Sequence, residues 1–64
     1  MPNDLDLRDD FDFAIEALET ARIAMRSDRQ GAEKMAASLL AGKRQLKRAE
    51  AQGLIAQAKK YLDG

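Results

Sequence analysis

Residues 32–62 contain almost nothing that would end a helix. The stretch has no Pro, Asn, Asp or Thr, and its only serine is Ser38. Helix ends need such side chains because they satisfy backbone groups that have no partner within the helix. The simplest prediction is one helix of about 30 residues, roughly 45 Å long. The remainder of a 64-residue chain is too short to cover such a helix, which indicates self-association.

A first helix is predicted for residues 9–27, with Asp9 as a candidate N-cap. Two apolar stripes recur on it at helical spacing. One consists of Phe11, Ala14, Ile15, Leu18, Ala21 and Met25, and the weaker one of Phe13, Ala17 and Ala24. Together they cover about 200° of the helix, twice the roughly 100° of an ordinary surface helix. A helix with so wide an apolar arc needs more than one neighbour.

The chain has one internal cluster of turn residues, at positions 27–31, where Ser27 and Gln30 have the spacing of a capping box. We therefore expect an all-α antiparallel helical hairpin, with a long helix at residues 30–62, dimerising into a four-helix assembly. The alternative is a three-helix bundle with a break near Gly42. Continuity is favoured because the residues after Gly42 are poor N-caps.

The two ends of the predicted long helix present different apolar faces. Met35, Leu39 and Leu46 form one stripe, whereas Leu54, Ala58 and Tyr61 lie about 100° around the helix axis from it. The C-terminal third is therefore expected to pack against a different surface, such as a second subunit. Residues 1–8 are interpreted as an acidic N-terminal arm, and residues 9–64 as a single helical domain.

Composition also favours an oligomer. Twelve of the hydrophobic residues are Ala, which leaves sixteen large apolar residues after Met1. This is a thin core for a monomer, and with no Cys the chain has no disulfide to stabilise it. Oligomerisation is the common remedy for such small chains.

Charge is distributed unevenly along this neutral chain. Residues 1–20 carry seven acids and one base, and residues 43–64 carry six bases and two acids. Lys43, Arg44, Lys47 and Arg48 would form one basic helical face that suits phosphate contacts. Folding the hairpin, however, brings Glu16 near Lys43 and Asp12 near Lys47. Pairing between the acidic and basic segments is therefore the preferred interpretation of the basic cluster.

The chain carries no recognisable reaction chemistry. It has no His or Cys, and its side-chain hydroxyls are limited to Thr20, Ser27, Ser38 and Tyr61, so a nucleophile would lack its usual base. We expect no enzyme activity, no catalytic residues, no cofactor and no metal site. No signal-peptide pattern or long apolar run occurs, so we expect a cytoplasmic protein without a membrane segment.

These observations predict a small non-enzymatic regulator, inhibitor or adaptor that binds itself and another protein. The predicted partner-binding residues are Leu5, Leu7, Phe13, Ile23, Leu54, Ile55, Tyr61 and Leu62. The predicted contacts for an anionic partner are Arg22, Lys43, Arg44, Lys47 and Arg48. The alternative function is a nucleic-acid-binding dimer that uses the basic face at residues 43–48. A small-ligand-binding oligomer is a third class that no feature favours.

Overall fold

Over residues 2–64 the fold consists of three α-helices. The computed structural model describes the backbone of residues 2–64 and the side chains of residues 10–64. The helices are α1 (Pro2–Ala24), α2 (Arg29–Arg44) and α3 (Arg48–Asp63). The prediction of an all-α chain is confirmed. Helix α1 begins at Pro2 instead of near Asp9. The predicted acidic arm at residues 1–8 lies outside the residues whose side chains the structure describes.

The continuous helix predicted for residues 30–62 is wrong, because the chain turns at residues 45–47. Gln45 adopts left-handed backbone angles (φ 55°, ψ 46°), and the Leu46 N–H donates to the Ala41 carbonyl over 3.0 Å. A hydrogen bond from an N–H to the carbonyl five residues earlier is characteristic of a Schellman motif, which ends a helix at its C-terminus. The radius of gyration is 11.3 Å, close to the roughly 11 Å of a compact 64-residue domain. The three-helix alternative is the architecture found.

The first turn lies where the sequence predicted it, although a different residue caps the following helix. Asp28, not Ser27, is the N-cap of α2, and its carboxylate accepts a hydrogen bond from the Gly31 N–H over 2.8 Å. At the start of α3, Glu50 Oε1 accepts from the N-cap Lys47 N–H over 3.2 Å. Lysine has no acceptor to return the bond, so α3 has only half of a capping box.

Alanine forms most of the core. Among residues 10–64, whose side chains the structure describes, ten are buried: Ala14, Leu18, Ala21, Ala32, Ala36, Ala37, Leu40, Ala51, Ile55 and Ala58. Seven of them are Ala, so alanine supplies the core that a count of large apolar residues leaves out. Small side chains let the three helices approach closely, and larger residues such as Phe11, Ile15 and Leu62 pack around the edge of this centre. The two neighbours that α1 requires are α2 and α3 of the same chain.

Each pair of helices is joined by an ion pair. Asp10 of α1 binds Arg44 of α2 (2.6 Å), Arg22 of α1 binds Asp63 of α3 (2.9 Å), and Glu33 of α2 binds Lys59 of α3 (3.1 Å). The Asp10–Arg44 pair lies at the end of α2 opposite the first turn, as expected for antiparallel α1 and α2. The acidic segment of α1 therefore lies along the basic end of α2, in agreement with the preferred interpretation of the charges.

Candidate functional site

The candidate site is a groove between α1 and α2. It has a volume of about 270 Å³ and is lined by Phe13, Glu16, Ala17, Thr20, Leu39, Leu40 and Lys43. Its floor is apolar because Phe13 and Ala17, two members of the second stripe of α1, lie beside Leu39 and Leu40 of α2. We name it the α1/α2 groove. Apolar clefts bounded by a few polar groups are the usual form of a binding surface.

Charged side chains stand at one end of this groove. Lys43 Nζ lies 4.7 Å from the centroid of the Phe13 ring, and Arg44 Cζ lies 5.1 Å from it. Both cations are within the range in which the face of an aromatic ring attracts positive charge. Glu16 lines the groove with Lys43, and among the side chains from residue 10 onward it forms no ion pair. A carboxylate and an ammonium group are therefore displayed together beside the apolar floor.

Two large apolar residues of α2 are exposed on this side of the protein. Leu39 is 44% exposed and Met35 is 37% exposed, and they are one helical turn apart. Sequence analysis placed them together but did not identify them as a surface. The periodicity of α2 could not separate core from surface, since Ala36, Ala37 and Leu40 fill the core beside them.

The structure separates the predicted partner-binding residues into three groups. Ile55 is 2% exposed and belongs to the core, while Leu54 and Leu62 are half-buried against it, so α3 packs on its own chain. Ile23 (72%) and Tyr61 (67%) are exposed, and the Tyr61 ring meets Phe11 edge-on at 5.8 Å. Phe13 stands alone in the third group, because it lines the groove. Leu5 and Leu7 lie outside the residues whose side chains the structure describes.

The predicted basic face is not formed as one helical stripe. Lys43 and Arg44 are the last residues of α2, and Lys47 and Arg48 stand beyond the turn, exposed at the start of α3. The spacing of four residues aligns side chains only along an unbroken helix. Arg44 is engaged with Asp10 and Phe13. Binding of nucleic acid by these four residues stays a prediction, and the continuous helical face on which it depended is not formed.

Arg22 binds a carboxylate of its own chain. Its two terminal nitrogens donate to the two carboxylate oxygens of Asp63 over 2.9 and 3.0 Å. This paired geometry is the strongest form of an arginine–carboxylate contact. Hydrogen bonding from Arg22 holds the pKa of Asp63 below its ordinary value of 3.8, and the same bond raises the pKa of Arg22. Arg22 is thus occupied in joining α1 to the end of α3.

Comparison with known proteins adds no relative from which a function could be transferred. The chain matches no protein-family model, no curated protein and no solved structure. Within the described part of the chain, no helix has the length and apolar character needed to cross a membrane. The α1/α2 groove and the charges around it are therefore the basis for assigning a function.

Proposed function

We propose that the protein is a small non-enzymatic regulator, inhibitor or adaptor that acts as a helical homo-oligomer, with the α1/α2 groove as its contact surface. The exposure of Leu39 beside Phe13 and Ala17 carries this proposal. Large apolar side chains grouped at a groove are typical of protein-binding surfaces. We also expect the protein to be cytoplasmic and to bind another protein besides itself.

The size of the expected effect follows from the exposed part of Leu39. Complete burial of a leucine contributes about 1.5–3 kcal/mol, so burying the remaining 44% contributes roughly 1 kcal/mol per copy. In a symmetric dimer the residue is counted twice, which gives about 2 kcal/mol, or roughly thirtyfold in the dissociation constant. Met35 adds a flexible side chain that adapts to the surface it meets.

Replacing Leu39 with Lys tests the proposal. We expect the wild-type chain to associate in sedimentation equilibrium at micromolar to millimolar concentration, and Leu39→Lys to weaken this association at least about thirtyfold. The helical circular dichroism of the variant should match that of the wild type, because Leu39 lies outside the buried core.

The matched control is Ile23→Lys, which makes the same kind of change at an exposed position that does not line the groove. It should associate like the wild type. A wild-type chain that remains monomeric at millimolar concentration would overturn the proposal. If Ile23→Lys lost association while Leu39→Lys kept it, the contact surface would lie around Ile23, and the groove would be ruled out. Salt-sensitive binding of duplex DNA by the wild type would instead support the nucleic-acid alternative.

A further inference from the structure

The two helices that form the α1/α2 groove carry opposite net charge. Over residues 10–24, α1 has four carboxylates and one guanidinium group, whereas α2 has four cationic side chains and one carboxylate. The charged residues that line the groove have the same signs as their helices, Glu16 on α1 and Lys43 on α2, so a partner that lies across it meets a carboxylate on one side and an ammonium group on the other. A partner with the same two helices in exchanged positions is complementary to both.

A second copy of this chain supplies that partner if the symmetry axis is chosen correctly. Two copies that pack face to face can have a two-fold axis along the helices or across them. An axis along the helices places α1 of each copy against α2 of the other, so opposite charges meet. An axis across the helices places α1 against α1 and α2 against α2, so like charges meet.

Side-chain size selects the same arrangement. On the groove side, α1 presents the small residues Ala17 and Thr20 beyond Phe13, whose ring lies beneath Lys43 of the same chain, whereas α2 presents Leu39 with Met35 one turn away. Packing α1 against α2 of the other copy sets large side chains over small ones, which fills space. Packing like helices together sets large against large and small against small, which leaves both clashes and voids.

We propose that the α1/α2 groove is occupied by a second copy, related by a two-fold axis along the helices, so that Glu16 of each copy faces Lys43 of the other. This inference rests on the proposed self-association. A rotation about an axis along the helices leaves the height of each residue unchanged. Glu16 and Lys43 line the same end of the groove within one chain, so they meet again across the interface.

Charge reversal at these two positions tests the arrangement. Glu16→Lys would set two ammonium groups against each other at both symmetric contacts, and Lys43→Glu would likewise set two carboxylates against each other. Each variant alone should dimerise at least about tenfold more weakly than the wild type, because two attractive contacts become repulsive. An equimolar mixture of the two variants should recover dimerisation, since the mixed pair brings opposite charges together again. Sedimentation equilibrium measures all three samples.

The matched controls are Glu19→Lys and Lys60→Glu, which reverse exposed charges outside the groove. Each should dimerise like the wild type, and their mixture should show no preference for mixed pairs. Recovery in the Glu16→Lys and Lys43→Glu mixture alone supports the arrangement. Failure to recover, while Leu39→Lys still disrupts the wild-type dimer, would overturn this arrangement and leave self-association standing. A monomeric wild type would overturn both.

Discussion

At the residue scale, the glycines within the helices differ in how much space surrounds them. A Cβ atom built on Gly31 would lie 2.8 Å from Asp28 Cγ and 3.0 Å from Met25 Cε. One built on Gly42 or Gly53 would meet no described atom within 4 Å. No described neighbour therefore requires glycine at position 42 or 53. Of these three glycines, Gly31 is the one whose neighbours exclude a side chain, because it leaves room for the capping carboxylate of Asp28.

Alanine substitutions should separate these positions. Gly53→Ala and Gly42→Ala should each raise the free energy of unfolding by about 0.5–1 kcal/mol, because alanine loses less backbone entropy in a helix. Gly31→Ala should not show this gain and should lower the free energy of unfolding by up to about 1 kcal/mol, because displacing Asp28 removes the cap of α2 and offsets the gain from alanine. Urea unfolding measures all three. A destabilised Gly42→Ala would contradict this prediction and would show that a side chain at position 42 meets a neighbour.

At the scale of the element, the junction between α2 and α3 is held by backbone geometry with little help from side chains. Gln45 occupies a left-handed conformation that asparagine or glycine adopts more readily. Lys47 stands at the N-cap with extended backbone angles (φ −68°, ψ 152°), the conformation of a capping residue without a capping side chain. The boundary between α2 and α3 therefore falls at two residues, Gln45 and Lys47, whose types are unfavourable for a helix C-terminus and an N-cap.

Completing the cap should stabilise α3. Lys47→Ser supplies an oxygen that can accept from the Glu50 N–H, in return for the bond that Glu50 already makes to the residue 47 N–H. We expect a gain of about 1 kcal/mol in the free energy of unfolding. Arg48→Ser is the control, because it removes the same charge near the same helix terminus without creating a cap. Equal effects of the two substitutions would mean that α3 does not begin after residue 47.

At the scale of the whole molecule, ion pairs join three helices around a core of small side chains. The pairs are partly exposed, and such pairs individually contribute little. Their positions nevertheless distinguish one arrangement of the helices from others, because each pair links a different two of them. The Arg22–Asp63 pair is the most informative, since it connects the last turn of α1 to the last residue of α3.

The stability that comes from the Arg22–Asp63 pair should depend on pH. The pKa of Asp63 is lower in the folded state than its ordinary value of 3.8, so folding favours the ionised carboxylate. The contribution of the pair is present above this ordinary value and is lost as the pH falls through the depressed folded pKa. The wild type should therefore be more stable than Asp63→Asn at neutral pH, with the difference vanishing in acid.

Thermal unfolding measured as a function of pH tests this prediction. Arg22→Gln serves as the control, because it removes the other member of the same pair. The single variants and the double variant should have nearly the same stability at neutral pH, since each lacks the same contact. A difference between wild type and Asp63→Asn that persists unchanged into acid would show that the pair is not the cause.

The sequence alone predicted the all-α class, the first turn and the buried stripe of α1. These features depend on local periodicity and turn residues, which a short window of sequence contains. It also identified Phe13 and Ala17 as a second apolar stripe and anticipated that the acids of α1 would lie along the basic end of α2. Glu16 and Lys43 were correctly expected to lie near each other.

Only the tertiary structure decided where the second helix ends and which apolar residues remain exposed. Gln45 and Lys47 are weak local signals, and the break there arises because folding α3 back buries Ala51, Ile55 and Ala58 against the other helices. Periodicity shows which residues share a helical face, but not whether another helix covers that face. Leu39 is exposed and Ile55 buried for this reason, since burial depends on neighbours that are distant in the sequence.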